Sequence, residues 1–277
     1  MKSGRIWTGI GITLVVLGAV TAQRYLRADE RMAPSRKMGR PEAVRAPILV
    51  ELFTSEGCSS CPSADKLLAD LVATQPVDGA EIIALEEHVD YWDRIGWKDP
   101  FSSAQFTQRQ TGYSARFHLD SVYTPQAVVD GQREFVGSDK GEAVRAIMEA
   151  AARPKASVEL RVTSEDLRQV RLSVSVDKLP DRNDAARVVL AITEDDLKVY
   201  VNSGENAGRS LVHHGVVRGL LTPGKIQGKT AFTTQVAVPL DPRWRRRHLR
   251  LVAFVQSETN SRIAGVGTVL LTAVPKG

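Results

Sequence analysis

The chain has 277 residues and two cysteines, which stand three apart in Cys58-Ser59-Ser60-Cys61. A pair so spaced can close a disulfide, exchange it with another thiol, or offer two soft ligands to a metal. The pair follows the apolar run Ile48-Leu49-Val50-Glu51-Leu52-Phe53. It precedes Pro62 and the helically spaced Leu67, Leu68, Leu71 and Val72. The expected order is strand, turn, cysteines, helix, with proline in the first helical turn, where its missing N–H is tolerated. The free N–H groups and dipole of a helix N-terminus stabilise an anion. A cysteine placed there has a lowered pKa and more thiolate at neutral pH. Cys58 is then the exposed nucleophile, and Cys61, one turn deeper, the resolving thiol.

Other chemistries stay open beside dithiol exchange. Zinc requires about four ligands; with no second cysteine pair, His88, His118, His213, His214 and His248 would have to complete the set. Copper could use Cys58, Cys61 and His88. A purely structural disulfide needs no further residue. His88 and Asp90 fall at the end of a second strand, Glu81 to Leu85, where ligands gather in open sheets. Tyr91, Trp92 and Trp97 concentrate in one loop of an aromatic-poor chain. They read as a wall beside the cysteines or as packing for the loop itself. Asn202 to Arg209, followed by His213-His214, reads as an inter-strand loop packed on the first domain or as part of a groove. Adjacent histidines on a strand point to opposite faces and do not readily share one metal.

The elements that must position these residues are alternating. Ser103 caps a helix over 104–117, Val122 to Asp130 is a strand broken by Pro125, Arg133 to Val136 returns as a hairpin, and Ser138 caps a helix over 141–152. The order strand–helix–strand–helix–strand–strand–helix makes the first two strands parallel with a right-handed crossover. Beyond Pro154 the pattern has period two, in segments 157–162, 170–176, 188–193, 230–239, 249–256 and 263–271. That predicts an all-β antiparallel sandwich of seven or eight strands. The expected organisation is an α/β domain over 47–154 and a sandwich domain over 155–277.

Charge is unevenly spread. Lys and Arg number 37 against 32 Asp and Glu, a net +5. Residues 1–46 carry nine basic and three acidic side chains, which leaves 28 against 29 in the body. The body is near neutral, which argues against a nucleic-acid partner. Arg243, Arg245, Arg246, Arg247 and Arg250 form a local basic cluster, read as a solvated turn. Lys2 and Arg5 precede an apolar run from Ile6 to Ala22, short for a spanning helix. Residues 1–22 read as a signal peptide or an uncleaved anchor through 6–22, and 23–46 as a flexible linker. Either reading places the rest in the periplasm or outside the cell.

Strand, Cys-x-x-Cys, helix, and then Tyr123-Thr124-Pro125 before a hairpin resemble the thioredoxin-like superfamily. The resemblance implies that Pro125 is cis and faces the cysteines, with Thr124 offering backbone contacts to substrate. More narrowly, Glu51-Leu-Phe-Thr-Ser-Glu-Gly-Cys-Ser-Ser-Cys-Pro, His88-Val-Asp-Tyr-Trp-Asp and Gly96-Trp-Lys-Asp-Pro-Phe are similar to a family of bacterial secreted proteins classed as a domain of unknown function. That likeness covers 47 to about 272. The sequence departs from thioredoxins in its Ser-Ser dipeptide and in Gly57 before the first cysteine. The superfamily's buried carboxylate on the first central strand aligns with Leu52. Glu51, one residue away, could serve only through a shifted register.

The expected activity is thiol–disulfide exchange on protein or peptide thiols, with Cys58, Cys61 and Glu51 in the chemistry and Thr124, Pro125, Trp92 and Trp97 at the substrate. A membrane redox partner that donates electrons, or an oxidant partner, is expected according to the direction of exchange, and no cofactor. The alternative is a non-enzymatic binding module with a structural disulfide or a Cu(I) site.

Overall fold

The computed structural model describes residues 45–177, 179–180, 185–227 and 231–272. The expected signal or anchor, and all but the last residues of the expected linker, lie outside the described residues.

The chain runs β1 (Ala46–Thr54), α1 (Cys61–Thr74), β2 (Ala80–His88), α2 (Ala104–Phe117), β3 (Gln126–Val129), β4 (Arg133–Val136) and α3 (Lys140–Ala151). Nine strands follow: β5 (Val158–Glu165), β6 (Gln169–Val176), β7 (Ala185–Glu194), β8 (Leu197–Tyr200), β9 (Ser210–His213), β10 (Val216–Gln227), β11 (Phe232–Pro239), β12 (Leu249–Ser257) and β13 (Ile263–Leu270). Local chemistry sets the helix starts. The backbone N–H of Gln105 donates to Ser103 Oγ at the head of α2. At α3 the cap is Asp139, which accepts from the Glu142 N–H, and not the expected Ser138. A strand cannot continue through Pro125, so β3 starts only at Gln126.

Eight strands form one sheet in the order β13-β12-β7-β10-β2-β1-β3-β4. β1 and β2 are parallel, with Ala46 opposite Ala80 and Thr54 opposite His88. β3 joins β1 antiparallel. The expected boundary near 154 separates element types but not sheets. β10 pairs with β2 at Val216–Glu86, and the Glu86 N–H donates to Gly215 O. The reason is a shared core: Leu49, Ile83 and Leu85 pack with Val189, Val252, Phe254 and α2's Phe106. The described residues belong to a single compact unit. One layer of the expected sandwich is the three-stranded sheet β11-β6-β5, and the other, β13-β12-β7-β10, is continuous with β2-β1-β3-β4 and not a separate sheet. Leu172 and Val174 of the three-stranded sheet pack on Val188, Leu190 and Leu251 of the large sheet.

Alternation along β1 decides what each face holds. Ile48, Val50 and Leu52 pack with Leu68 of α1 and Ile147 of α3. Leu49 and Phe53 face α2. The two-stranded pair β8–β9 carries the segment 201–209 between its strands. The basic cluster spans the turn before β12, where Arg243 pairs with Asp241, Arg245 with Glu194 and Arg246 with Glu165.

Candidate functional site

After β1 the chain turns tightly. The Gly57 N–H donates to Ser55 Oγ, and the Cys58 N–H to Ser55 O. The Cys61 N–H donates to Cys58 O at the start of α1. Cys58 and Cys61 are disulfide-bonded, with Cα atoms 5.4 Å apart. α1 has proline in its first turn and no acidic side chain there, so no carboxylate in that turn offsets the helix dipole.

The expected exposure of Cys58 is not found: it is 1% exposed and Cys61 0%. The cover comes from far along the sequence. Asn206, itself 0% exposed, donates both side-chain N–H groups, to Glu56 O and to Cys58 O, each at 2.8 Å. The Ser59 N–H donates to the Glu205 carboxylate. Ser203 Oγ donates to Gly96 O. The 202–209 segment is thus a strap tied across the cysteine turn.

Around that turn the fold assembles most of the residues expected at the substrate. Trp92 packs on Gly57, whose Cβ, if present, would lie 3.3 Å from Trp92 Cβ. Its indole N–H donates to Thr124 Oγ1 at 2.8 Å. Thr124–Pro125 is cis. Gly137 backs it, leaving no room between Pro125, Leu52 and Ala64. Trp97 donates to Glu56 Oε2 at 2.7 Å.

Glu51 does not belong to this group. Alternation turns it to the α2 face, where Arg109 Nε and Tyr113 Oη donate to its carboxylate at 2.5 Å each. Glu87 joins at 3.4 Å from Arg109. Burial, countered by Arg109 and reinforced by Glu51, lifts the Glu87 carboxyl well above its usual range. A cleft of about 400 Å³ lies on this face, lined by Gln105, Arg109, Tyr113, Arg187 and Gln256 among others.

The first acid on the helix that Cys61 opens is Asp65. It sits four residues after Cys61, and side chains so spaced share a helix face. It is buried and accepts from Thr54 Oγ1 at 2.7 Å. Burial and the neighbouring Glu86 push its pKa up to about 7, against the pull of His213 and Thr54.

Beneath the turn lies a buried ionic cluster. The His88 Nδ1 contacts Asp99 Oδ2 at 2.7 Å, and that same oxygen accepts the Glu56 N–H. Its Nε2 lies 3.3 Å from Glu86 Oε1. His213, delivered by β9, sets Nδ1 at 2.5 Å from Glu86 Oε1 and Nε2 at 3.3 Å from Glu56 Oε1. The two rings meet edge to face with centroids 4.9 Å apart. Burial alone would lower both imidazolium pKa values, but the carboxylates win. Asp99 and Glu86 hold His88 up to about 10, and Glu86, Glu56 and Asp65 hold His213 up to about 11. Burial would raise Glu86, and the two histidines bring it down to about 2. One donor atom from each of Glu86, His88 and His213 lies within 4.8 Å of the others. His88 therefore turns to Asp99, Glu86 and His213, and this grouping differs from the Cys58, Cys61 and His88 copper set.

Glu56, Asp65, Glu86 and Asp99 are not site residues in the sequence reading; His213 enters there only as a possible zinc ligand, and Asn206 only within the 202–209 segment. Two of them left a signal there: Asp65 by its spacing from Cys61, and Glu86 by sharing strand parity with His88. His213 and Asn206 are separated from the cysteines by about half the chain.

A family model described as "Protein of unknown function (DUF1223)" matches residues 49–256. No curated protein sequence matches. Among solved structures, a structural-genomics protein from Agrobacterium tumefaciens is 24% identical, with a TM-score of 0.62, covering 84% of this chain and 97% of that one. HBP35 of Porphyromonas gingivalis is 16% identical, with a TM-score of 0.62, covering 84% and 79%. At these identities the likeness is one of fold.

Proposed function

Starting from a chain that belongs to the family described as protein of unknown function DUF1223, we propose that it is an extracytoplasmic thiol–disulfide oxidoreductase of thioredoxin-like build. The observation that carries this reading is the Cys58–Cys61 disulfide closing the turn into α1. The order β2-β1-β3-β4 with α1 and α3 on one face and α2 on the other supports it. So does the placement of Trp92 on Thr124 beside the turn.

In the reduced state, the Cys58 thiolate attacks a substrate disulfide and displaces one substrate thiolate. Cys61 loses its proton to Asp65 and attacks Cys58 Sγ. The Cys58–Cys61 bond forms, the mixed disulfide breaks, and the second substrate sulfur leaves and takes up a proton. The chain is oxidised by two electrons and the substrate reduced by two. Run backwards, the same steps oxidise a substrate dithiol, and a membrane redox partner or an oxidant resets the pair. Asp65, with its pKa near neutrality, is suited to accept and return that proton. Trp92 and Thr124 line the approach, and the strap must lift before a protein sulfur reaches Cys58.

An extracytoplasmic location fits the disulfide. No helix among the described residues is long and apolar enough to cross a membrane.

The burial of both sulfurs under Asn206 favours a second reading, a binding module with a structural disulfide. Equilibration of the chain in glutathione buffers, with alkylation and mass readout, separates the two. A potential between about −270 and −120 mV places the pair among catalytic dithiols. A value below about −300 mV, with Cys58 unalkylated in the native protein, refutes the oxidoreductase reading.

A further inference from the structure

We propose that Glu86, His88 and His213 form a binding site for one divalent metal ion of the zinc class, with Glu56 as a fourth donor. The donor set is two imidazoles and carboxylate oxygen, which suits a borderline divalent cation. All four side chains are buried, at no more than 1% exposed. His88 Nε2, His213 Nε2 and Glu56 Oε1 make no well-aligned hydrogen bond and have only ion-pair contacts at 3.3 Å, His88 with Glu86 and His213 with Glu56, which leaves three buried polar atoms weakly satisfied in one place. The orienting contact is also present: Asp99 holds His88 by Nδ1 at 2.7 Å, and this leaves Nε2 as the ligating atom. The donors of Glu86, His88 and His213 lie within 4.8 Å of one another. Ligands of one such ion lie up to about 4 Å apart, so side-chain shifts of under about 1 Å complete the site.

The site is composite. Glu86 and His88 come from one face of β2, while His213 comes from β9 across the strap. With neutral rings, the carboxylates of Glu86, Glu56 and Asp99 leave a buried anionic cage that a dication would neutralise. Because Nδ1 of His213 shares Glu86 Oε1, the ion would also fasten β9 to the sheet. No ligand is a thiol, so this inference stands apart from the redox reading. An exposed competitor exists where His214 and His248 approach Asp196 at 3.4 and 3.1 Å.

The test uses the full chain, oxidised and freed of metal by chelator, titrated with Zn²⁺ alone by calorimetry and equilibrium dialysis. One equivalent is expected, retained in a His214→Gln/His248→Gln double variant. Glu86→Gln and Asp99→Asn should each weaken binding at least tenfold. Wild-type protein gives an answer that needs no variant to fold: ring ¹⁵N spectra should show zinc shifting His88 and His213. Absence of stoichiometric binding would overturn the site. So would binding undiminished in Glu86→Gln, or zinc shifts confined to His118, His214 and His248.

Discussion

Replacing Asn206 with alanine isolates the strap from everything else in the site. The wild-type side chain donates two hydrogen bonds, to Glu56 O and Cys58 O, at 2.8 Å each. Each is worth about 1 kcal/mol net, so closing the strap loses about 2 kcal/mol in the variant. Since about 1.4 kcal/mol is tenfold in an equilibrium constant, the open population rises about 30-fold. When opening and closing outpace the chemistry, the rate of reaction follows that population. The assay is the rate of Cys58–Cys61 reduction by dithiothreitol, quenched by alkylation and read by mass. Asn206→Asp should accelerate it further, because a carboxylate would face two carbonyl oxygens. Glu205→Gln, on the exposed side of the same strap, should stay within about threefold of wild type. An Asn206→Ala rate within about threefold of wild type, with far-UV dichroism unchanged, would refute the view that the strap controls access to the disulfide.

The two networks make separable predictions. Glu51→Gln leaves buried Arg109 without its charged partner and should cost about 3–5 kcal/mol, read as a lowered melting temperature, with the disulfide potential unchanged. Glu87→Gln should cost less than Glu51→Gln, because burial lifts the Glu87 carboxyl well above its usual range and favours its neutral form. A raised folded-state pKa means that its contribution is complete below the ordinary value of 4.5 and is lost as pH rises through the folded value. The melting temperature of Glu87→Gln should therefore fall less steeply on the alkaline side. Asp65 has the same sign, its contribution fading between 3.8 and about 7. Asp65→Asn should gain stability over wild type at pH 8 but not at pH 4, and should slow resolution of a mixed disulfide at least tenfold in stopped-flow assays. Gly137→Ala should cost about 1–3 kcal/mol in denaturant melts, since its Cβ would meet Leu52 Cδ1 at 2.6 Å and Pro125 Cβ at 3.3 Å.

Short-range signals carried much of the reading. Ser103 marks α2 because a serine before a helical pattern accepts the first free N–H. Pro125 marks the start of β3 because proline removes a ladder donor. The long strand β10 has no clear signature in the sequence because Thr222-Pro223-Gly224 looks like a turn. In the sheet it is an irregularity between Leu221 and Gly224 that lets the strand bend and continue. Strands β8 and β9 are four residues each and carry too little alternation to stand out.

By itself the sequence determined the Cys-x-x-Cys turn, its place between a strand and a helix, and the family. These depend on spacing within one or two turns of chain, where sterics and hydrogen bonding act directly. Only the tertiary structure decided that Glu51 serves Arg109 and that Asp65 is buried against Thr54. Only it decided that His213 joins His88 and Glu86, and that Asn206 seals the disulfide. The physical reason is that strand parity and burial assign partners across the sheet. Residues 148 positions apart, such as Cys58 and Asn206, meet through cores that no local pattern records.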